Sequence, residues 1–212
     1  MARVPLAAEQ ENLREALKSV AVVLKHSGFP FALIGGYAVW ARGGPEPDHD
    51  VDFMVAADDA AEVADALTEA GLRVVQPPED WLFKVYTGAP DSDDSTMVDI
   101  IFRDAGRPAT REVVQEADVL EVLSVEMPVL SATELLVQKL ASLDEHWCDF
   151  GWLLPVARAL REQVDWSRVR RAIAENDFAV AFLFLAERLQ IIPADPAEGD
   201  VQDPPTRQNG TP

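Results

Sequence analysis

The chain has 212 residues, of which 48% are hydrophobic, and this is enough apolar material for one core or for one domain with a smaller appendage. Its apolar runs are short and interrupted, and its amino terminus lacks the apolar stretch of a signal peptide, so we expect a cytoplasmic protein that does not enter a membrane. The single cysteine cannot form an internal disulfide, and three scattered histidines do not complete a structural zinc site.

The formal net charge of −19 argues against general affinity for nucleic acid, because neutralising phosphates requires clustered lysine and arginine. Acidic residues dominate between positions 44 and 99, where fifteen acids accompany only two bases, Arg73 and Lys84. Five arginines follow in a short segment near the carboxyl end: Arg158, Arg161, Arg168, Arg170 and Arg171. The sequence therefore predicts an acidic body and mildly basic carboxyl-terminal helices.

The first half of the chain alternates between helical and strand patterns. Leucine and valine recur at helical spacing over residues 9–25, and a short buried strand then ends in a double glycine. A short helix and turn lead to a strand, and a second long helix is predicted over residues 58–71. Further strands are predicted over three segments: 72–76, 81–87 and 97–102. Extended structure is again expected over residues 118–131.

The second half of the chain is helical. Ser131 and Glu134 have the spacing of a capping box and predict the start of a helix. Three further helical patterns follow, and the chain beyond Ile192 contains proline, glycine and acids without apolar periodicity. We therefore predict an α/β (α+β) fold in three parts: a catalytic domain over 1–130, a helical subdomain over 131–192 and a disordered acidic tail over 193–212.

Two aspartates, Asp50 and Asp52, are separated by one apolar residue in a predicted strand. Because side chains alternate between the faces of a strand, both carboxylates are expected on one face. Two like charges there repel each other unless a cation lies between them. Asp99 comes from another predicted strand and adds a third carboxylate, and such a set suits Mg²⁺, which prefers carboxylates and substrate phosphates.

A double glycine, Gly35 and Gly36, lies where the first strand is expected to end and a helix to begin. Backbone N–H groups at such a junction can approach a phosphate closely. Carboxylates for a metal beside a glycine turn for phosphate predict a nucleotide-binding site.

At these residues the chain resembles the nucleotidyltransferase superfamily with the polymerase-β-like fold, a mixed β-sheet with flanking helices. The segments IGGYAVWARGG, HDVDFMV and VDIIF match its glycine turn, Asp-x-Asp pair and distant third aspartate in order. Within the superfamily the chain looks most like the AbiEii-type and MenT-type toxins of bacterial toxin–antitoxin systems. These toxins have a helix that carries a lysine, followed by a helix that begins with an aspartate. Lys139 and Asp149 stand at the corresponding places in this chain. The chain departs from its relatives at His49, before the first aspartate, and at Trp152, where a second aspartate is missing.

The resemblance implies the transfer of an NMP from an NTP to an acceptor hydroxyl. Two Mg²⁺ ions, or Mn²⁺, would be held by Asp50, Asp52 and Asp99 beside the phosphates. Asp99 is expected to act as the general base, and Lys139 to neutralise the triphosphate. Gly35, Gly36 and Asp149 are the remaining residues expected to bind the nucleotide. The products would be an acceptor–O–NMP and pyrophosphate.

Several alternatives remain open at this stage. The resemblance favours a toxin-like enzyme, which takes a tRNA 3′ end as acceptor, implies a cognate antitoxin and needs a positive track such as the five carboxyl-terminal arginines; this is the interpretation that we prefer. The acidic body favours the alternative acceptor, an aminoglycoside or lincosamide antibiotic. A third alternative is a binding module that has lost catalysis. Lys139 can equally be a surface residue of an amphipathic helix, and Asp149 can be an N-cap.

Overall fold

The fold, described by a computed structural model over residues 6–88, 95–104 and 107–194, is built on a mixed seven-stranded sheet. The bounds of its strands are β1 Phe31–Ile34, β2 Val51–Val55, β3 Arg73–Val75, β4 Leu82–Thr87, β5 Thr96–Ile101, β8 Asp118–Val122 and β9 Val125–Val129. In space these strands follow the order β3-β4-β5-β2-β1-β9-β8. A separate two-stranded ribbon joins β6 Arg103–Asp104 to β7 Arg107–Pro108. The predicted mixed α/β architecture is thus confirmed.

Eight α-helices are described, and a 3-10 turn over Ala57–Asp59 precedes the third. Their bounds are α1 Leu6–Ser27, α2 Gly35–Ala41, α3 Ala60–Glu69, α4 Arg111–Gln115, α5 Ala132–Ala141, α6 Phe150–Leu160, α7 Trp166–Ala172 and α8 Asp177–Arg188. Ser131 caps α5 as its spacing predicts, because its Oγ accepts a hydrogen bond from the Glu134 N–H at 3.2 Å. None of these helices is long and apolar enough to cross a bilayer.

The centre of the sheet carries the deepest part of the hydrophobic core. Val51 and Phe53 of β2 are fully buried, as are Val98 and Ile100 of β5. Helix α1 packs against α3 and the sheet, while α5 contacts α2, α7 and α8. The alternating residue Asp52 therefore points away from this core layer, toward α5.

The division of the chain into a catalytic domain and a helical subdomain stays a prediction. Helices α5 to α8 do follow the last strand of the sheet, and α5 packs against α2 of the first half. The predicted tail begins at position 193, and residues 195–212 lie outside the described residues.

Candidate active site

Two of the predicted aspartates face each other across neighbouring strands. β2 and β5 pair in parallel, and their register sets Asp52 directly beside Asp99. Paired residues of adjacent strands project from the same face of a sheet, so both carboxylates lie on one face. The sheet thus brings together two of the three acids that the sequence singled out.

Asp50 reaches the site in a different way from the strand alternation that the sequence predicts. Strand β2 begins at Val51, and Asp50 precedes it with a left-handed backbone, φ 46°. Aspartate tolerates this conformation better than most residues. Asp50 is exposed, and its charge still acts on Asp52.

The carboxylate of Asp52 is in a crowded and poorly solvated environment. Burial raises the pKa of Asp52 from 3.8 to about 7, and the negative charges of Asp50 and Asp99 add to this effect. Lys139 and Lys84 oppose it. The fold itself therefore disfavours the ionised form of Asp52.

Gly35 makes room for this carboxylate, and Gly36 makes room for Pro47. Gly35 begins α2 with φ 66°, and a Cβ atom there would lie 2.0 Å from the Asp52 Oδ2. A Cβ atom at Gly36 would lie 2.7 Å from the Cβ of Pro47. Packing is by itself a sufficient reason for glycine at both positions. Their contact with phosphate stays a prediction.

Two lysines flank the aspartates, one at each side. Lys84 of β4 is paired with Asp99 across the antiparallel β4–β5 ladder, and its Nζ lies 3.0 Å from Oδ1 and 3.4 Å from Oδ2. Lys139 of α5 is partly buried, and this burial lowers its pKa, while the charge of Asp52 opposes the effect. Its Nζ lies 4.5 Å from the centroid of the Trp152 ring.

Lys84 is the residue that the sequence prediction missed. Its one signal was its isolation, as one of two bases in a long acidic segment. Only the pairing of β4 with β5 shows that it meets Asp99.

Asp149 caps helix α6. Its Oδ1 accepts a hydrogen bond from the Trp152 N–H at 3.1 Å, so the N-cap interpretation is confirmed. Asp149 also borders a cleft next to the aspartates, which leaves its predicted role toward the nucleotide as a proposal.

Two clefts meet at Asp52. The first, which we call the Trp81 cleft, has a volume of about 740 Å³ and is bounded by Asp52, Met54, Trp81, Arg103, Gln138 and Lys139. The second, the Trp152 cleft, has a volume of about 840 Å³ and is bounded by Asp48, Asp50, Asp52, Trp147, Asp149 and Trp152. Gly35 borders the first cleft and Gly36 the second. The site can therefore contact two different molecules at once.

The three carboxylates match a divalent cation in chemistry. Within residues 6–88, 95–104 and 107–194, no three acidic, histidine or cysteine side chains converge as a complete metal cage. Asp99 is instead paired with Lys84. A cation beside Asp52 would offset the like charges and the burial that raise its pKa, so the donor set fits Mg²⁺ or Mn²⁺.

The mixed sheet, the glycine turn and the facing aspartates are the features by which this chain resembles the nucleotidyltransferases. The sequence model of the uncharacterised nucleotidyltransferase family matches residues 2–191. The chain belongs to this family, and it is a transferase. No curated protein gives a significant match.

Solved structures resemble the chain over most of its length. The solution structure of the antibiotic-resistance factor ANT(2″)-Ia has 13% identity and a TM-score of 0.50, covering 84% of this chain and 96% of that one. The crystal structure of ANT(2″)-Ia in complex with adenylyl-2″-tobramycin has 14% identity and a TM-score of 0.52, covering 81% and 97%. A putative nucleotidyltransferase from Helicobacter pylori has 18% identity and a TM-score of 0.47, covering 90% and 86%. At these identities the ANT(2″)-Ia structures support the shared fold alone.

Proposed function

We propose that this chain transfers an NMP from an NTP to a hydroxyl group of an acceptor, in a reaction that depends on Mg²⁺ or Mn²⁺. The observation that carries the proposal is the in-register pair Asp52 and Asp99, with Asp50 beside it. These three residues would hold the metal. When bound, the metal would stabilise charge on the phosphates and lower the pKa of the acceptor hydroxyl.

The nucleotide is assigned to the Trp152 cleft. Asp50 and Asp52 both border this cleft, whereas only Asp52 borders the Trp81 cleft, so phosphates held near both carboxylates lie on the Trp152 side. The backbone of Gly36 borders the same cleft. Lys139 borders the Trp81 cleft, but its ammonium lies against the Trp152 ring, where it can reach a phosphate between the two clefts. These groups supply a donor and a positive charge to the triphosphate.

Two exposed indoles suit the nucleobase. Trp147 and Trp152 are 76% and 48% exposed, although large apolar side chains are usually buried. A base stacked on an aromatic ring gains about 1–3 kcal/mol, and such stacking does not distinguish strongly among bases. Asp149, at the start of α6, lies in the same cleft.

The acceptor is assigned to the Trp81 cleft, from which its hydroxyl group approaches the side of the sheet that carries Asp99. The Asp99 carboxylate takes the hydroxyl proton as the acceptor oxygen bonds to the α-phosphorus. The bond from that phosphorus to the pyrophosphate oxygen breaks, and pyrophosphate leaves. Asp99 suits this role because its carboxylate is aligned with Asp52 by the β2–β5 register.

The acceptor that fits best is a small, positively charged molecule with hydroxyl groups, of the aminoglycoside kind. The net charge of −19 attracts cations and repels nucleic acid. Three of the five arginines that an RNA would need have acidic partners: Arg161 contacts Glu162, Arg168 contacts Glu116 and Glu134, and Arg170 contacts Glu187. The ANT(2″)-Ia structure with adenylyl-2″-tobramycin supports the same class by analogy of fold.

A tRNA 3′ end, modified by a toxin-like enzyme with a cognate antitoxin, is the second candidate. Arg158 and Arg171 are exposed on the helical half and favour it, because exposed arginines can contact phosphates. Lincosamides are a further small-molecule acceptor to include in the test.

The decisive experiment offers each labelled NTP with Mg²⁺ to the purified protein, together with aminoglycosides, lincosamides or total tRNA. We expect label on an aminoglycoside, and none with the near-isosteric Asp52→Asn variant. Label on tRNA alone would overturn the cationic acceptor and support the toxin interpretation. Nucleotide binding without transfer to any acceptor would indicate a binding module that has lost catalysis.

A further inference from the structure

Three charged side chains form a row across three neighbouring strands. The β4–β5 register sets Lys84 beside Asp99, and the β2–β5 register sets Asp99 beside Asp52. The row therefore has a cation at one end and two anions next to it, all on one face of the sheet. The chain provides its own positive charge for the site.

We propose that Lys84 is a built-in counterion that holds the Asp99 carboxylate until a divalent cation displaces it. The metal must compete with the Lys84 ammonium for Asp99, and this competition limits how tightly the site binds metal before the nucleotide arrives. Lys84 is thus a positioning residue that acts through Asp99. This inference rests on the proposed function, since it takes Asp99 as a metal ligand.

The pair differs from an ordinary surface ion pair in its exposure. The side chains of Lys84 and Asp99 are only 25% and 16% exposed, and Lys84 lies between the buried residues Phe83 and Val85. Partial burial reduces screening by solvent and salt, so the interaction is stronger than at a fully exposed pair. A metal has to overcome this interaction to bind Asp99.

The choice of lysine also distinguishes this pair from others in the fold. The buried Asp59 is held by Arg111, and Glu46 receives two hydrogen bonds from Arg14, both at 2.8 Å. An arginine fork engages both oxygens of a carboxylate and fixes it, whereas a lysine presents a point charge on a flexible stem. The unequal distances of 3.0 and 3.4 Å from Lys84 leave Asp99 less fully engaged. A lysine here can hold the carboxylate and still release it.

The test is a titration with Mn²⁺, in which the electron paramagnetic resonance signal of the free ion measures binding without nucleotide. Lys84→Met removes the competing charge, and we expect Mn²⁺ to bind about three- to tenfold more tightly. Lys84→Arg keeps a positive charge and is expected to bind no more tightly than the wild type. The matched control is Arg73→Met, which removes one charge from β3, where the guanidinium lies over the Tyr86 ring at 3.8 Å. The control should not change affinity.

Three results would overturn the inference. Equal affinity of the wild type and Lys84→Met would mean that Lys84 does not compete with the metal. The same gain in Mn²⁺ affinity in Arg73→Met would mean that the net charge of the protein, and not the position of Lys84, sets the affinity. The same gain in Lys84→Arg would mean that the positive charge at position 84 does not limit metal binding.

The same Mn²⁺ titration of Asp52→Asn distinguishes an error in the role of Lys84 from an error in the proposed function. If the wild type binds Mn²⁺ no better than Asp52→Asn does, the metal centre itself is wrong, and the role of Lys84 is overturned with it. If Asp52→Asn loses binding while Lys84→Met matches the wild type, the centre stands and only the counterion role is overturned.

Thermal unfolding gives a readout that does not depend on activity. Without metal, Lys84→Met leaves Asp52 and Asp99 facing each other without the lysine, so its melting temperature should lie below that of the wild type. Because a ligand that binds only the native state stabilises it, saturating Mg²⁺ should raise the melting temperature more in Lys84→Met than in the wild type. An equal rise in both proteins would contradict the proposed competition.

Discussion

Replacing Gly35 by alanine tests what this glycine does in the site. With φ at 66°, an alanine residue costs about 1–2 kcal/mol in backbone strain. Its Cβ would also lie 2.0 Å from the Asp52 Oδ2, so the carboxylate oxygen has to retreat by about 1.5 Å to an ordinary contact distance. Misplacement of a catalytic group by about 1 Å can lower a rate by about a hundredfold.

Gly71→Ala separates the strain from the displacement. Gly71 has φ 86°, and a Cβ atom there would meet nothing within 4 Å. Urea unfolding should show a loss of about 1–2 kcal/mol in both variants. Only Gly35→Ala should lose Mn²⁺ affinity and about a hundredfold in transfer rate. Normal metal binding and transfer in Gly35→Ala would refute the argument that this glycine makes room for the Asp52 carboxylate.

Three further predictions concern charged side chains: Asp52, Lys139, and the pair Arg158 and Arg171. Since the pKa of Asp52 rises from 3.8 unfolded to about 7 folded, the native state binds the proton more tightly, and metal-free stability should fall as the pH rises from about 4 to about 7. Asp52→Asn should remove this pH-dependent loss of stability, which amounts to at most about 4 kcal/mol, and should also abolish transfer. If the melting temperature of Asp52→Asn depended on pH as that of the wild type does, the assignment of the loss to Asp52 would be wrong. Lys139→Met should weaken NTP binding about tenfold, measured by calorimetry, with little change in melting temperature, whereas lost stability with unchanged NTP affinity would indicate a packing role. Changing Arg158 and Arg171 together to alanine should leave transfer to an aminoglycoside unchanged, and a selective loss of tRNA modification with a shallower salt dependence would favour RNA as acceptor.

The sequence predicted those parts of the site that depend on local pattern. The glycine turn after β1, the strands that carry Asp52 and Asp99, and the cap at Ser131 all follow from short-range signals, and the structure confirms each of them. A run of apolar residues marks a buried strand, and a double glycine marks a junction, regardless of what packs against them.

The parts that were missed depend on which strands become neighbours. Lys84 reaches Asp99 only because β4 pairs with β5 in one particular register, and no spacing within the chain encodes that contact. Trp152 was noted only as the place of a missing aspartate, yet its ring contacts Lys139 from another helix. The left-handed backbone of Asp50 is likewise set by the loop that enters β2 rather than by strand alternation.

The charges around Asp52 connect the stability of the fold to its chemistry. Asp59 is almost fully buried and has a fixed partner in Arg111, so its charge is balanced whether or not a ligand is present. Asp52 is poorly solvated and lies near two other acids. Lys84 and Lys139 offset the resulting rise in its pKa only in part, because the pKa still reaches about 7. A metal ion with a nucleotide would supply the missing positive charge only in the native state. Binding should therefore stabilise the fold through Asp52 itself, and this added stability should be larger at pH 8, where Asp52 is ionised, than at pH 6.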